Sequence, residues 1–248
     1  MKSIAVIQAR MDSKRLKGKS LLPLGNENII YYCYKAALDS RMFEKIIVAT
    51  SKSKNDDDLV AYLNLKNIDY FRGSQNNVLS RYLEINKKYQ PCNIARLTGD
   101  NPLIDPLVIE KVVTSHLNAG SDYSSNIINR SWPRGNDVEC ISGEVLSKLK
   151  TRDLSQEDLE HVTLFIRKNL GDYNYTSVES SKPFEHKTIR LTVDYEEDYF
   201  LVKKIVDYFL SNNKKLSINE INNLYKSNPK FFEINKSSKQ TQIGGIEW

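Results

Sequence analysis

Cysteine is scarce in this chain of 248 residues: Cys33, Cys92 and Cys140 are odd in number and far apart. Such spacing argues against a disulfide framework and a C-x-x-C metal site, and it fits a reducing compartment. Long apolar runs are missing too. None approaches the ~20 residues a membrane span needs, and the first residues lack the apolar core and cleavage site of a signal peptide. A cytoplasmic protein with no membrane span is expected. No G-x-G-x-x-G occurs, which removes the dinucleotide fingerprint. Gly18-Lys19-Ser20 ends like a phosphate-binding P-loop, but that pattern demands a glycine where Ser13 stands. There is no internal repeat and no RNP-like or zinc signature. What remains is ordinary for a globular domain: 40% hydrophobic and 27% charged residues, with a net charge of +5 spread along the chain. A nucleic-acid groove is therefore not demanded, and no nucleic-acid partner is expected.

The most telling stretch is the beginning. An apolar run at 4–7 opens into Ala9-Arg10-Met11-Asp12-Ser13-Lys14-Arg15-Leu16-Lys17-Gly18-Lys19. The run reads as a buried strand. The cations crowding the following turn repel one another unless a polyanion or carboxylates sit among them. With one glycine in the loop, phosphates would be held by Arg10, Lys19, the Ser13 hydroxyl and backbone N–H groups, the arginine offering a planar fork and the lysine a mobile charge.

Strand-like and helix-like segments alternate through the first half: strands at 4–8, 45–50, 69–71 and 93–97, helices at 29–39, 57–66, 78–89 and 106–119. That alternation implies a parallel sheet with helices on both faces. The second half is more mixed. Strands are expected near 123 and over 138–141, 173–178 and 188–193, with helices at 156–169 and 196–210 and a last one opening at the capping box Ser217-Ile218-Asn219-Glu220. Residues 1–234 read as one domain and 235–248 as a polar tail. In an open parallel sheet, ligands bind at the carboxyl ends of the strands. Asp100 and Asp194 follow two expected strands there, and a pair of carboxylates beside phosphate oxygens is the ligand set Mg²⁺ prefers.

With these pieces placed, the chain resembles the cytidylyltransferases that activate acidic sugars, most closely the branch called spore coat polysaccharide biosynthesis protein F. The resemblance is carried by 7–16, Arg72-Gly73-Ser74 with Val78-Leu79-Ser80-Arg81-Tyr82, Arg96-Leu97-Thr98-Gly99-Asp100-Asn101-Pro102-Leu103-Ile104-Asp105, Pro133-Arg134-Gly135-Asn136-Asp137-Val138-Glu139, Glu160-His161-Val162-Thr163 and Leu191-Thr192-Val193-Asp194. The chain departs from the branch's common pattern at Lys17, Gly99, Arg134 and Asn136.

The resemblance implies a Rossmann-like three-layer α/β/α nucleotidyltransferase fold with a mostly parallel central sheet. It also implies a single transfer in which an oxygen of an acidic sugar, or of a phosphorylated or phosphonate acceptor, attacks the α-phosphorus of CTP and pyrophosphate leaves, for surface polysaccharide or glycoconjugate synthesis. Arg10, Lys19, Asp100 and Asp194 are the expected catalytic residues, with Asp100 and Asp194 holding Mg²⁺. Ala9, Ser13, Arg15, Arg72, Gly73, Ser74 and Leu79 are expected around the nucleotide. Asn126, Arg130, Arg134, Asp137, Glu139 and His161 fall where the family places a small acidic acceptor. The family also implies a homodimer, with 123–142 as its arm. Two other readings stay open at this level: a metal-dependent glycosyltransferase, and a non-catalytic binder of nucleic acid or anionic polymer.

Overall fold

The computed structural model describes residues 2–181, 184, 189–238, 242–243 and 245–247. The chain runs β1 (Ser3–Gln8), a hairpin of β2 (Pro23–Leu24) and β3 (Glu27–Asn28), α1 (Ile29–Asp39), β4 (Lys45–Ser51), α2 (Asp57–Leu65), β5 (Tyr70–Gly73), α3 (Val78–Tyr89), β6 (Asn93–Thr98) and α4 (Pro106–Ala119). Then follow β7 (Tyr123–Ser125), β8 (Glu139–Ser142), α5 (Gly143–Leu149), α6 (Gln156–Glu160), α7 (Leu164–Lys168), β9 (Tyr175–Ser177), α8 (Glu196–Ser211) and α9 (Ile218–Ser227).

Strand β1 is apolar without interruption from Ile4 to Ile7 because both of its faces are covered. Ala5 and Ile7 join the core formed with α1, α2, α4, α8 and α9, while Ile4 and Val6 join the opposite core under α3, α5 and α7. Side chains alternate across a strand, so one run of sequence seeds two cores and the result is a three-layer α/β/α fold. The seven-stranded sheet has the order β5-β4-β1-β6-β8-β7-β9. Strands β5, β4, β1 and β6 are parallel to their neighbours in that order, β8 is antiparallel to both β6 and β7, and β9 is parallel to β7.

The order of crossovers reverses between β1 and β6, and a crevice opens at the carboxyl ends of such a pair. Gln8 lies opposite Thr98 in the register, so the basic loop and the segment around Asp100 leave the sheet side by side. Gly99 permits the close approach. A Cβ there would stand 2.9 Å from the Cβ of Ala9 and 2.9 Å from Cδ1 of Ile30. On the other side of that segment Asp105 caps two helices at once. Its Oδ1 accepts from Leu107 N at 2.8 Å at the start of α4, and its Oδ2 accepts from Ile218 N at 2.8 Å at the start of α9.

Two expected elements differ. The helix expected over 156–169 is broken into α6 and α7 at His161–Thr163, where Val162 takes φ 39°. A β-branched residue in the left-handed region marks a constrained turn, and here it swings Glu160 and His161 toward the crevice. The strand expected over 188–193 is not a member of the sheet, and Thr188 lies outside the described residues. Residues 189–193 instead run beside the loop before β8, with one parallel bridge between Arg134 and Arg190. Tyr31, Tyr32 and Tyr34 of α1 are half-buried against the first of these cores. Asn235, at the start of the expected tail, is buried and donates to Arg190 O at 3.0 Å and Asp198 Oδ1 at 2.8 Å.

Candidate active site

The basic loop is folded by its own backbone and by one buried acid. Gly18, at φ 70°, donates from its N–H to Met11 O at 2.9 Å, closing the loop and leading into a single 3₁₀ turn that begins at Lys19. Asp56 accepts from Met11 N at 2.7 Å, from Thr50 Oγ1 at 2.8 Å and from Ser51 N at 2.9 Å. Burial alone would raise its pKa, but these donors, with the Ser51 hydroxyl, outweigh it and hold the carboxyl below the usual range. Asp56 is thus an anchor for the loop, one that the sequence pattern did not single out.

From this loop Lys19 reaches the centre of the crevice. Its Nζ donates to Asp100 Oδ2 at 2.8 Å, to Asp194 Oδ1 at 3.0 Å and to Val193 O at 2.8 Å. Asp194 also meets Arg15 Nη2 at 2.7 Å and Arg190 Nη2 at 2.6 Å. Burial opposes the charge on both Lys19 and Asp194, and mutual attraction overcomes it: the lysine pKa rises and that of Asp194 falls to about 2. The two aspartates, 94 residues apart in sequence, therefore converge on one cationic position.

The segment 189–193 brings this about. Its backbone bonds Arg134 on one side, through Arg134 N to Ile189 O at 3.2 Å and Leu191 N to Arg134 O at 2.8 Å. On the other side Val193 N donates to Asp100 O at 2.8 Å. Gly135, at φ 99°, makes the lacing possible, since a Cβ there would lie 2.6 Å from the Leu191 carbonyl carbon. Beyond Asp194 the chain enters α8, and Asp198 accepts from Asp194 N at 3.0 Å, Tyr195 N at 3.1 Å and Arg190 Nε at 3.0 Å.

The crevice has two lobes. The larger, about 380 Å³, is walled by Ala9, Arg10, Ser13, Lys14, Lys19 and Arg81, among others. The smaller, about 170 Å³, is walled by Arg96, Ile127, Arg134, Asp137, Glu139 and Thr192, among others. Gln8, Arg15, Thr98, Asp100, His161 and Asp194 border both. Arg10 crosses to Glu160 Oε1 at 3.1 Å. In the smaller lobe the buried Arg96 and Glu139 pair directly, and Glu139 Oε1 also accepts from Tyr123 Oη at 2.5 Å and Thr163 Oγ1 at 2.7 Å. Burial, then the Arg96 charge, lower the pKa of His161, so its imidazole is neutral at neutral pH.

The expected nucleotide residues divide. Ala9, Arg10, Ser13, Arg15, Lys19 and Asp100 line the crevice. Arg72, Gly73, Ser74 and Leu79 are not among the residues bordering either lobe. Arg72 turns to Ser51 O at 2.9 Å, Ser53 O at 2.8 Å and Asp57 at 2.8 Å, while Leu79 is buried in the core under α3. Of the expected acceptor residues, Arg134, Asp137, Glu139 and His161 border the smaller lobe. Asn126 and Arg130 brace its rim instead. Asn126 donates to Asn136 O at 2.6 Å and accepts from Val138 N at 2.9 Å, and Arg130 pairs with Asp137 at 2.5 Å. The arm expected over 123–142 is in part sheet, since β7 and β8 are inner strands. Arg81, Arg96 and Arg190 also belong to these walls and their ion pairs, and the first two stand inside the motif blocks, where their pattern alone gives them no role.

The sequence profile of the family described as Cytidylyltransferase matches residues 4–238. The chain belongs to the cytidylyltransferase family. Spore coat polysaccharide biosynthesis protein SpsF of Bacillus subtilis is 35% identical over 205 residues, 81% of this chain and 84% of that protein. A cytidylyltransferase structure from Leptospira borgpetersenii superposes at a TM-score of 0.87 with 30% identity, covering 98% of this chain and 99% of its own. The structure of CMP:2-keto-3-deoxy-manno-octonic acid synthetase complexed with CTP shares the fold at a TM-score of 0.62 and 17% identity, over 84% of this chain and 99% of that one. Membership of the cytidylyltransferases replaces the glycosyltransferase and polymer-binder readings. Among the described residues no helix is long and apolar enough to cross a membrane.

As for a metal, the donor set fits a hard divalent cation. Two carboxylates already share a single positive centre, and Mg²⁺ takes one or two carboxylates, leaving its other positions to phosphate oxygens and water. Among the described residues there is no group of three or more His, Cys, Asp or Glu side chains able to form an all-protein cage.

Proposed function

We propose that this cytidylyltransferase moves CMP from CTP to a small acidic sugar, releasing pyrophosphate, in surface polysaccharide or glycoconjugate synthesis. The observation that carries the reading is the junction of the two lobes at Asp100 and Asp194, bordered on one side by cations of the β1 loop and on the other by arginines of the acceptor wall. A nucleotide in the larger lobe and an acceptor in the smaller would then meet where the acids converge.

In this reading Arg10, Lys19 and the Ser13 hydroxyl hold the triphosphate, Arg15 sits at the junction, and Arg134 pairs with the acceptor's acidic group. The acceptor oxygen bonds to the α-phosphorus, the bond to the bridging oxygen of the β-phosphate breaks, and that oxygen leaves with pyrophosphate. Neutral His161, facing both lobes, takes the acceptor's hydroxyl proton on its imidazole. Asp100 and Asp194 would hold Mg²⁺, which when bound polarises the phosphate and neutralises charge developing on it. Most of the work is positioning and charge neutralisation, which suits a site built from cations and acids on separate strand ends. The enzyme is further read as a cytoplasmic homodimer, on family likeness; a monomer in sedimentation at micromolar concentration would remove the dimer.

Pyrophosphate release tests the assignment. The four nucleoside triphosphates are offered in turn with a panel of keto sugar acids, phosphorylated polyols and phosphonates. Release confined to CTP and requiring an acidic acceptor is expected. No release from CTP with any acceptor, or equal release from ATP, would overturn it.

A further inference from the structure

We propose that Lys19 stands in the seat of the divalent cation, so that ammonium and metal exclude each other and the nucleotide decides between them. The inference rests on the reading of Asp100 and Asp194 as metal ligands and goes beyond it by assigning an order to binding.

The seat is fully used. An ammonium has three N–H donors, and Lys19 Nζ has three acceptors within 3.0 Å: Asp100 Oδ2, Val193 O and Asp194 Oδ1. The side chain is only 12% exposed, so its charge is held there by these partners and little screened by water. The surrounding charges balance. Lys19, Arg15 and Arg190 stand against Asp100, Asp194 and Asp198, each joined to another by an ion pair. A dication entering alone would face an ammonium on the same oxygens and unbalance the cluster.

A triphosphate changes both terms. It brings several negative charges to the lobe that Lys19 and Arg15 already border, giving both cations new partners. Lys19 sits on a short turn preceded by a glycine, at the end of a long flexible side chain, so its head can move from the acids to a phosphate without unfolding the loop. The acids are then released to the metal. Coupling of this kind is reciprocal: whatever factor the nucleotide adds to metal affinity, the metal adds to nucleotide affinity.

The test is nucleotide-free titration calorimetry with Mn²⁺ as the probe, on the full chain. Wild type is expected to bind weakly and Lys19→Met at least about tenfold more tightly, within the usual range of such couplings. Lys14→Met removes a cation from the same lobe without touching the acids, and it is expected to stay close to wild type. Adding Asp194→Asn to Lys19→Met should abolish the gain. Lys19→Gln serves as a second variant, and Mn²⁺ should raise the melting temperature of either Lys19 variant more than that of wild type. Equal Mn²⁺ affinity in wild type and both Lys19 variants would overturn the proposal, and so would a gain in Lys14→Met as large as in Lys19→Met. A separate arm measures CTP binding by wild type with and without Mg²⁺. Indifference to Mg²⁺ there would bring down the metal reading itself, and this proposal with it.

Discussion

Asp194 offers a measurable test of the charge cluster through acid unfolding. Its pKa in the folded chain is about 2, against an ordinary aspartate value of 3.8, because Lys19, Arg15 and Arg190 outweigh the cost of burial. At about 1.4 kcal/mol per tenfold change in proton affinity, the difference corresponds to about 2 kcal/mol of stability. The sign follows from the direction of the shift. A depressed carboxylate pKa stabilises the fold fully above the unfolded-state value, and the contribution disappears as pH falls from about 4 toward 2. The side chain is 14% exposed, so solvent screening removes little of it. Urea unfolding midpoints for wild type and Asp194→Asn, taken in steps from pH 6 to pH 2.5, read the effect. Asp194→Asn should be less stable at pH 6, and the gap between the two proteins should narrow as pH drops through 4. Parallel curves, or equal stability at pH 6, would refute the reasoning.

Three further outcomes follow from the same geometry. Arg96→Met leaves the buried Glu139 carboxyl without its guanidinium partner, which should cost about 3–5 kcal/mol and lower the melting temperature by about 10 °C; a drop of only a degree or two would contradict the pair's role. Gly135→Ala puts a Cβ against the Leu191 backbone at a positive φ and should destabilise the chain by about 2 kcal/mol while raising the acceptor KM, as Arg134 and the Asp194 segment shift together. Glu160→Gln frees Arg10 from a half-exposed pair that competes with phosphate; CTP should bind about two- to fivefold tighter by calorimetry, and weaker binding would show that Glu160 supports the nucleotide instead.

Much of this was legible in the sequence for a definite reason. The run at 4–7, the strand at 93–97 and the helices between them carry unambiguous apolar patterning, so the parallel half of the sheet and its carboxyl-end crevice could be placed. Asp100 and Asp194 were singled out because each follows an expected strand, and in the fold they meet at Lys19. The strand expected over 188–193 is replaced by a single bridge at Arg190, and residues 189–193 bond the Arg134 loop and Asp100 rather than joining the sheet; pairing across that distance leaves no local signal. The break at Val162 was hidden because the flanking residues have a helical pattern, and the left-handed turn carries no glycine to announce it. Arg72, expected at the nucleotide from the family resemblance, donates to the carbonyls of Ser51 and Ser53, partners that its motif block does not announce.

The central claim is that two ligands meet directly at the acids shared by the lobes, with no protein group carrying the nucleotidyl unit between them. The stereochemical course at phosphorus tests it most directly. With one diastereomer of CTP bearing sulfur on the α-phosphorus and an acidic sugar acceptor, a single displacement gives a CMP-linked product of inverted configuration. Retention of configuration would place a covalent intermediate in the path and contradict the account.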